Sequence, residues 1–206
     1  MYEQGMVRMQ AEGAKEASVT LGLLCADVKN KILLAMAEGL MAEERAILAA
    51  NATDMENGRQ GGLKAIALCV KIGNAVILKG GREALHSNKA VSDALIAAGR
   101  KAGLPEGAVQ FINIPEREAV TELIHLDGLV DVVIPRGGAG LIRTVVSGAS
   151  VPVIETGSGV CHTYVDKKAD VAMAVSIALN AKVNRPSTCN SMETLLVHKE
   201  IADAFM

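Results

Sequence analysis

The sequence predicts an α/β protein with a doubly wound, mostly parallel sheet and a helical N-terminal part. Apolar residues recur at helical spacing from about residue 3 to 50, as Ile32, Met36 and Leu40 do. From residue 75 onward, short apolar runs alternate with helical stretches of about ten residues or more. This alternation is typical of parallel βαβ units, in which ligands bind at the carboxyl ends of the strands.

The individual elements follow from the same patterns. Six apolar runs are predicted as strands: residues 75–78, 109–114, 130–134, 151–154, 160–165 and 193–198. Four further stretches are predicted as helices: residues 83–102, 116–125, 138–147 and 168–181. The polar, glycine-rich stretch at residues 51–62 is predicted as a loop or junction.

Composition excludes several classes of protein. Half of the 206 residues are hydrophobic and the formal net charge is -2, so the chain is not expected to be disordered. Only 2% are aromatic, so the core is expected to be aliphatic. With 21 Lys and Arg against 23 Asp and Glu, and no Trp, a nucleic-acid-binding surface is not expected.

No targeting or membrane segment is expected. The sequence has no run of about 18 apolar residues, and its first residues, M-Y-E-Q-G-M-V-R, lack the pattern of a secretory signal. We therefore expect a cytoplasmic protein with reduced cysteines. The four cysteines form no C-x-x-C pair, so no metal site is expected.

Two glycine-rich turns are candidates for binding phosphate. Lys79, Gly80, Gly81 and Glu83 lie between a predicted strand and a predicted helix, where bare backbone and a helix start favour an anion. A tight connection with a solvated lysine remains the alternative.

The second such turn has the same strand–glycine–helix order but not the G-x-G-x-x-G spacing. It contains Arg136, Gly137, Gly138 and Gly140. A purely structural turn explains these residues about equally well.

Two further residues could carry chemistry. Glu155 follows a predicted strand and could act as a general base, although a surface acid is the simpler interpretation. Cys189 lies among polar residues after Pro186, and its basic neighbours Lys182 and Arg185 could favour a thiolate nucleophile. An inert loop cysteine remains the alternative.

The other three cysteines are predicted to be core or partly buried residues. They are Cys25, Cys69 and Cys161. A pair between Cys161 and His162 is not expected, because neighbouring residues of a strand point to opposite faces.

Five segments together resemble the gamma-glutamyl phosphate reductases, a family of the aldehyde dehydrogenase superfamily also called glutamate-5-semialdehyde dehydrogenases. The segments are K-I-G-N-A-V-I-L-K-G-G-R-E-A (71–84), A-G-L-P-E-G-A-V-Q (102–110), V-I-P-R-G-G-A-G-L-I (133–142), P-V-I-E-T-G-S-G-V-C-H (152–162) and N-A-K-V-N-R-P-S-T-C-N-S-M-E-T-L-L-V-H (180–198). The resemblance runs in order from about Gly5 to Met206, and the last segment is long and specific.

The resemblance implies a Rossmann-like NADP-binding domain and a reaction of proline biosynthesis. NADPH would reduce L-glutamyl 5-phosphate to L-glutamate 5-semialdehyde and phosphate. Cys189 matches the nucleophile that attacks the acyl phosphate and forms a thioester, with its backbone N–H helping to hold the oxyanion. Lys79 and the turn that follows it match the part near the adenosine ribose. Arg136 and the glycines after it match the turn near the pyrophosphate.

The resemblance also predicts three regions along the chain. Residues 1–62 would form the N-terminal helical part of the cofactor domain, 63–180 the Rossmann-like domain, and 181–206 the start of the catalytic domain. Relative to the family, the chain is expected to be shortened between about Arg59 and Ala65 and to stop within the catalytic domain. The missing internal segment would carry a strand and the oxyanion-hole Asn.

Two alternative functions stay open. One is an inactive nucleotide-binding or structural fragment, and the other is a hydrolytic aldehyde dehydrogenase with Glu155 as the base that activates water. The R-P-S-T-C-N motif argues against the hydrolytic enzyme. Self-association into a homo-oligomer is expected, because the family is oligomeric and uncovered strand edges tend to pair.

Overall fold

The computed structural model describes residues 5–55, 63–155, 159–186 and 188–206. Its described helices are α1 (Met6–Leu23), α2 (Ala26–Ala42), α3 (Glu44–Met55), α4 (Leu63–Ile72), α5 (Leu85–Lys101), α6 (Glu118–Leu123), α7 (Ala139–Gly148), α8 (Val171–Val183) and α9 (Ala202–Phe205). Its described strands are β1 (Val76–Leu78), β2 (Val109–Phe111), β3 (Cys161–Val165) and β4 (Met192–Val197). The α/β class and the parallel pairing of strands are confirmed.

The chain divides into two compact units. The first comprises Met1–Pro135 and Arg143–Ile154, and the second comprises Arg136–Ile142 and Glu155–Met206. Among the described residues, no helix is long and apolar enough to cross a lipid bilayer.

The N-terminal helical segment consists of three helices rather than one. Helix α3 runs to Met55, so the loop predicted from residue 51 is wrong for its first five residues. The remaining residues of that predicted loop, 56–62, lie outside the described part of the chain. The helix continues because its last turn is anchored: Asp54 is only 2% exposed and binds the start of α5.

The core of the first unit is aliphatic, as the composition predicted. Its largest fully buried side chains lie on α1, α2, α4 and the chain that follows β2, and they are Leu21, Ile32, Met36, Ile66, Ile112, Val7 and Val70. Helices α2 and α5 pack closely, and Gly39 allows this because a Cβ there would lie 2.5 Å from the Cβ of Ala98. Burial of these apolar side chains is the main contribution that stabilises the unit.

The strands of the first unit are shorter than predicted. β1 and β2 pair in parallel from Val76↔Val109 to Leu78↔Phe111. The strands predicted at 130–134 and 151–154 are reduced to one parallel bridge, Val133↔Val153. In the described residues this bridge joins neither β1 nor β2, and a strand pair without further neighbours is only marginally stable.

The second unit is built on the parallel pair β3–β4 with α8 between the two strands in sequence. Asp170 caps α8, because its side chain accepts a hydrogen bond of 2.8 Å from the backbone N–H of Met173. The pairing starts at Cys161↔Met192 and then skips to His162↔Thr194, which leaves Glu193 as a bulge at the start of β4.

Candidate functional site

The turn that contains Lys79 has the geometry that the sequence predicted. It leaves the carboxyl end of β1 and enters a 3₁₀ turn at Arg82–Ala84, which leads into α5. A Cβ on Gly80 would lie 2.5 Å from the side-chain nitrogen of Asn88, and one on Gly81 would overlap the carboxylate of Glu83. Glycine at these two positions leaves room for the side chains of Asn88 and Glu83 to lie against the backbone.

Charge in this turn is partly buried. Lys79 is half-buried, and this burial lowers the pKa of its ammonium group; nearby Arg82 also lowers it, whereas Glu83 and Glu116 raise it. A cation with reduced hydration attracts an anion more strongly than a fully solvated one. A lysine and a carboxylate at the end of a strand fit the phosphate and the ribose of a nucleotide.

A buried carboxylate that the sequence analysis missed holds the helix behind this turn. Asp54 accepts hydrogen bonds from the backbone N–H groups of Ser87 (2.5 Å) and His86 (3.3 Å), and its carboxylate lies 3.0 Å from Nδ1 of His86. Burial raises the pKa of Asp54, but the hydrogen bonds from Ser87 and His86 outweigh burial and lower the pKa to about 2. Asp54 therefore acts as a cap supplied by a distant helix.

We expect Asp54→Ala to lower the free energy of unfolding by about 1–2 kcal/mol at pH 7, because it leaves two backbone donors of α5 without their acceptor. The native pKa lies below the ordinary value of 3.8, so the ionised carboxylate stabilises the fold above pH 4. That contribution is lost as the pH falls from about 4 towards 2. Urea unfolding at pH 7 and pH 3 measures both effects.

Asp93 is the matched control for Asp54. It is an exposed aspartate that pairs with Lys89 four residues earlier on α5, and such pairs contribute about 0.3–0.5 kcal/mol. Asp93→Ala should therefore lower the free energy of unfolding by less than about 0.5 kcal/mol and leave its dependence on pH unchanged. Equal losses in the two variants would contradict the capping role of Asp54.

The second glycine turn is open to solvent. Arg136, Gly137, Gly138 and Gly140 are all exposed, and they lie between the bridge residue Val133 and the first turn of α7. A Cβ on Gly138 or Gly140 would meet nothing within 4 Å, so these two positions are not required by packing inside the chain. The helix after the turn is as predicted, whereas the predicted strand before it is reduced to the bridge at Val133.

Glu155 lies two residues beyond the bridge residue Val153, and its side chain is exposed. Thr156, Gly157 and Ser158, which follow it in the predicted turn, are outside the described residues. Among the described residues, no group of three or more His, Cys, Asp or Glu side chains could hold a metal ion.

Cys189 lies exposed in the turn between α8 and β4. We call residues 184–191 the Cys189 turn; Ser187 within it is not described. Thr188 donates to the carbonyl of Arg185 through its N–H (3.1 Å) and its hydroxyl (2.8 Å), and the N–H of Ser191 donates to the carbonyl of Thr188 (3.0 Å). These bonds join Thr188 to Arg185 and Ser191 to Thr188, and the side chain of Cys189 between them is exposed.

Lys182 lies beside the start of β4. Its ammonium donates to the carbonyl of Met192 at 2.9 Å and lies 4.0 Å from the carboxylate of Glu193. The hydroxyl of the buried Ser191 donates to carbonyls near the end of α8. Lys182 and Ser191 therefore connect the end of the Cys189 turn to that helix.

The structure places a predicted core cysteine beside Cys189. Cys161 is half-buried, and its thiol donates to the carbonyl oxygen of Cys189 at 3.5 Å. His162 turns away, and its Nδ1 lies 3.0 Å from the carbonyl of Val160. The prediction for Cys25 is wrong because that residue is exposed, whereas Cys69 is half-buried and burial raises the pKa of its thiol.

The comparison with known protein families covers most of the chain. Residues 62–206 match the aldehyde dehydrogenase family. The chain belongs to this family. The predicted resemblance is therefore confirmed at the level of the superfamily.

Relatives of this aldehyde dehydrogenase family member carry a more specific name. A gamma-glutamyl phosphate reductase of Moorella thermoacetica is 40% identical, and the match covers 97% of this chain and 64% of the relative. One from Clostridium acetobutylicum is 56% identical over 142 residues, which is 69% of this chain and 34% of the relative. The predicted resemblance to this group is confirmed.

Solved structures of other proteins match the fold of this chain. A gamma-glutamyl phosphate reductase from Thermotoga maritima matches with a TM-score of 0.78 and 32% identity, over 97% of this chain and 65% of that one. An engineered glycolyl-CoA reductase with bound NADP+ is 15% identical with a TM-score of 0.78, over 97% of this chain and 57% of that one, and shows the fold alone.

The chain spans less than two thirds of the Moorella and Thermotoga relatives. The Moorella alignment runs over 269 positions, whereas the chain has only 206 residues, so that relative has additional residues inside the matched region. This agrees with the predicted internal shortening.

Proposed function

We propose that this chain carries the nucleophile and the nucleotide-binding turns of an NADPH-dependent gamma-glutamyl phosphate reductase. The observation that carries the proposal is the exposed Cys189 between α8 and β4, in a chain whose relatives at 40% identity bear that name. The substrate would be L-glutamyl 5-phosphate, and the products L-glutamate 5-semialdehyde and phosphate. The same proposal implies a reaction of proline biosynthesis in the cytoplasm and a homo-oligomeric enzyme.

The chemistry assigned to Cys189 is acyl transfer to sulfur. Its thiolate attacks the acyl carbon, a C–S bond forms, and the C–O bond to phosphate breaks so that phosphate leaves with the electron pair. The backbone N–H of Cys189 would donate to the oxyanion that develops on the acyl oxygen. A bound nicotinamide cofactor supplies the hydride that reduces the acyl group to the aldehyde, and the thiolate is then released.

The remaining predicted residues bind the cofactor in this proposal. In the turn that contains Gly80 and Gly81, Lys79 would hold the phosphate of the adenosine part and Glu83 its ribose. Arg136 and the exposed glycines Gly137, Gly138 and Gly140 would lie against the pyrophosphate. In domain terms, residues 63–180 would bind the nucleotide, 1–62 would be its helical N-terminal part, and 181–206 would begin the catalytic domain.

The reverse reaction tests the proposal. Purified chain is mixed with glutamate semialdehyde and NADP+, with and without inorganic phosphate, and NADPH formation is followed by absorbance. We expect NADPH to form at least about tenfold faster with phosphate, because phosphate is the group that displaces the acyl unit from sulfur. A folded chain that forms no NADPH would instead support the inactive fragment.

The hydrolytic alternative predicts a different pattern. Aldehyde oxidation would then be independent of phosphate and would be abolished in Glu155→Gln, because a general base is needed only where water is the nucleophile. In the phosphate-dependent reaction, Glu155→Gln should retain most of the activity.

A further inference from the structure

We propose that Gly159 and Cys161 are positioning residues that hold the carbonyl of Cys189 in place and so fix the direction of the reactive thiol. The inference rests on the proposed function of Cys189. It assigns roles to two residues that the chemistry of the reaction alone does not identify.

The first observation is a close approach of two backbones. A Cβ added to Gly159 would overlap the carbonyl oxygen of Cys189, and it would also lie 3.1 Å from the carbonyl carbon. The atoms that it would meet are backbone, so no side-chain rotation can relieve the overlap. Only glycine allows the chain before β3 to lie against the peptide group of Cys189.

The second observation is the hydrogen bond from Cys161. Gly159 lies two residues before Cys161, the first residue of β3, and the thiol of Cys161 donates to that same carbonyl oxygen at 3.5 Å. The carbonyl oxygen of Cys189 thus lies close to the backbone of Gly159 and accepts a hydrogen bond from the thiol of Cys161.

The third observation is the bulge that opens β4. Glu193, two residues after the end of the Cys189 turn, is passed over in the pairing between β3 and β4. Bulges of this kind bend a strand and are frequent beside active sites, where they re-aim a neighbouring side chain. The end of the turn is separately tied to α8 through Ser191 and Lys182, so the contacts at Gly159 and Cys161 act on Cys189 itself.

The arrangement has a direct chemical consequence. Holding the carbonyl of Cys189 limits rotation of its backbone, and this sets where the thiol and the N–H of the same residue point. A displacement of about 1 Å at a reacting group can cost up to about 100-fold in rate. Cys161 thus acts through Cys189 and is not itself a nucleophile.

The test combines variants with two independent readouts. Cys161→Ala removes the donor, Cys161→Ser keeps a donor, and Gly159→Ala adds the methyl group that would collide with the carbonyl. Gly22→Ala and Cys25→Ser are controls, since a Cβ on Gly22 would meet only ordinary contacts and Cys25 is exposed on another unit. The readouts are steady-state kinetics of the reverse reaction and amide hydrogen exchange of residues 188–191.

We expect Cys161→Ala to lower kcat about 5–10-fold with KM values within about twofold, and to speed exchange of residues 188–191 about 3–10-fold. In Cys161→Ser, both kcat and the exchange rate should return most of the way to those of the unaltered chain. Gly159→Ala should lower kcat and speed exchange more than Cys161→Ala does. Exchange in residues 194–197 of β4 should change little in every variant.

Three results would overturn the proposal. The first is unchanged exchange of residues 188–191 in both Cys161→Ala and Gly159→Ala. The second is exchange in Cys161→Ser that is as fast as in Cys161→Ala. The third is equal acceleration throughout β4, which would assign Cys161 to the stability of the strand pair. Hydrogen exchange needs no turnover. If the unaltered chain lacks activity but the exchange pattern appears, the proposed function alone has failed.

Discussion

Replacing Cys189 with serine is expected to lower the rate of phosphate-dependent NADPH formation at least about 1000-fold, which corresponds to about 4 kcal/mol of activation free energy. A serine hydroxyl is not ionised at neutral pH and is a much weaker nucleophile than a thiolate. It is also a poorer leaving group when the intermediate collapses. Steady-state kinetics of the reverse reaction, with enough enzyme to detect the residual rate, measure the loss.

Two controls make the loss at Cys189 specific. Cys25→Ser changes an exposed cysteine at the start of α2 and should retain full activity. Binding of NADPH to Cys189→Ser should stay within about twofold of the unaltered chain, because Cys189 does not lie in the predicted nucleotide turns. Retained activity in Cys189→Ser would contradict the proposed nucleophile outright.

Loss of Lys79 is expected to weaken the binding of NADPH about 10–100-fold, or about 1.4–2.8 kcal/mol. The ammonium group is half-buried at the carboxyl end of β1, so its attraction to phosphate is less screened by water than that of a surface lysine. Lys79→Ala removes this charge. Fluorescence or calorimetric titration with NADPH and NADH measures the affinity, and the loss should be larger for NADPH, which carries an additional phosphate.

Lys71 and Glu83 supply the comparisons for Lys79. Lys71 is an exposed lysine at the end of α4, and Lys71→Ala should change the affinity by less than about twofold. Glu83→Gln should raise the affinity for NADPH relative to NADH, since a carboxylate suits a free ribose hydroxyl and repels a 2'-phosphate. Equal affinities of Lys79→Ala and Lys71→Ala would exclude a direct role for Lys79.

Local patterns in the sequence predicted most of the elements. Helices α5, α7 and α8 and strands β1, β3 and β4 lie within a few residues of their predicted bounds. Their apolar spacing and their glycine or polar ends are features of neighbouring residues, which a sequence shows directly. The same is true of the Lys79 turn and of Cys189, because a strand end followed by glycine, and a cysteine among polar residues, are local features.

The errors arise where distant residues decide the local structure. The polar segment at 51–55 stays helical because Asp54 binds amides on α5, 33 residues later in the chain. The apolar segments at 130–134 and 151–154 have strand composition, yet a strand needs partners, and in the described residues Val133 and Val153 pair only with each other. Periodicity reports which residues are apolar and not which partners are within reach.

The sequence by itself determined the class of the fold, the aliphatic core and the resemblance to a family, and it supplied the candidates for residues that carry chemistry. These depend on residue type and short-range spacing. Only the tertiary structure decided that Asp54 caps α5, that Lys182 binds the start of β4, and that Gly159 and Cys161 meet the carbonyl of Cys189. Cys161 and Cys189 are 28 residues apart, and no local pattern encodes their contact, because it arises from the parallel pairing of β3 with β4.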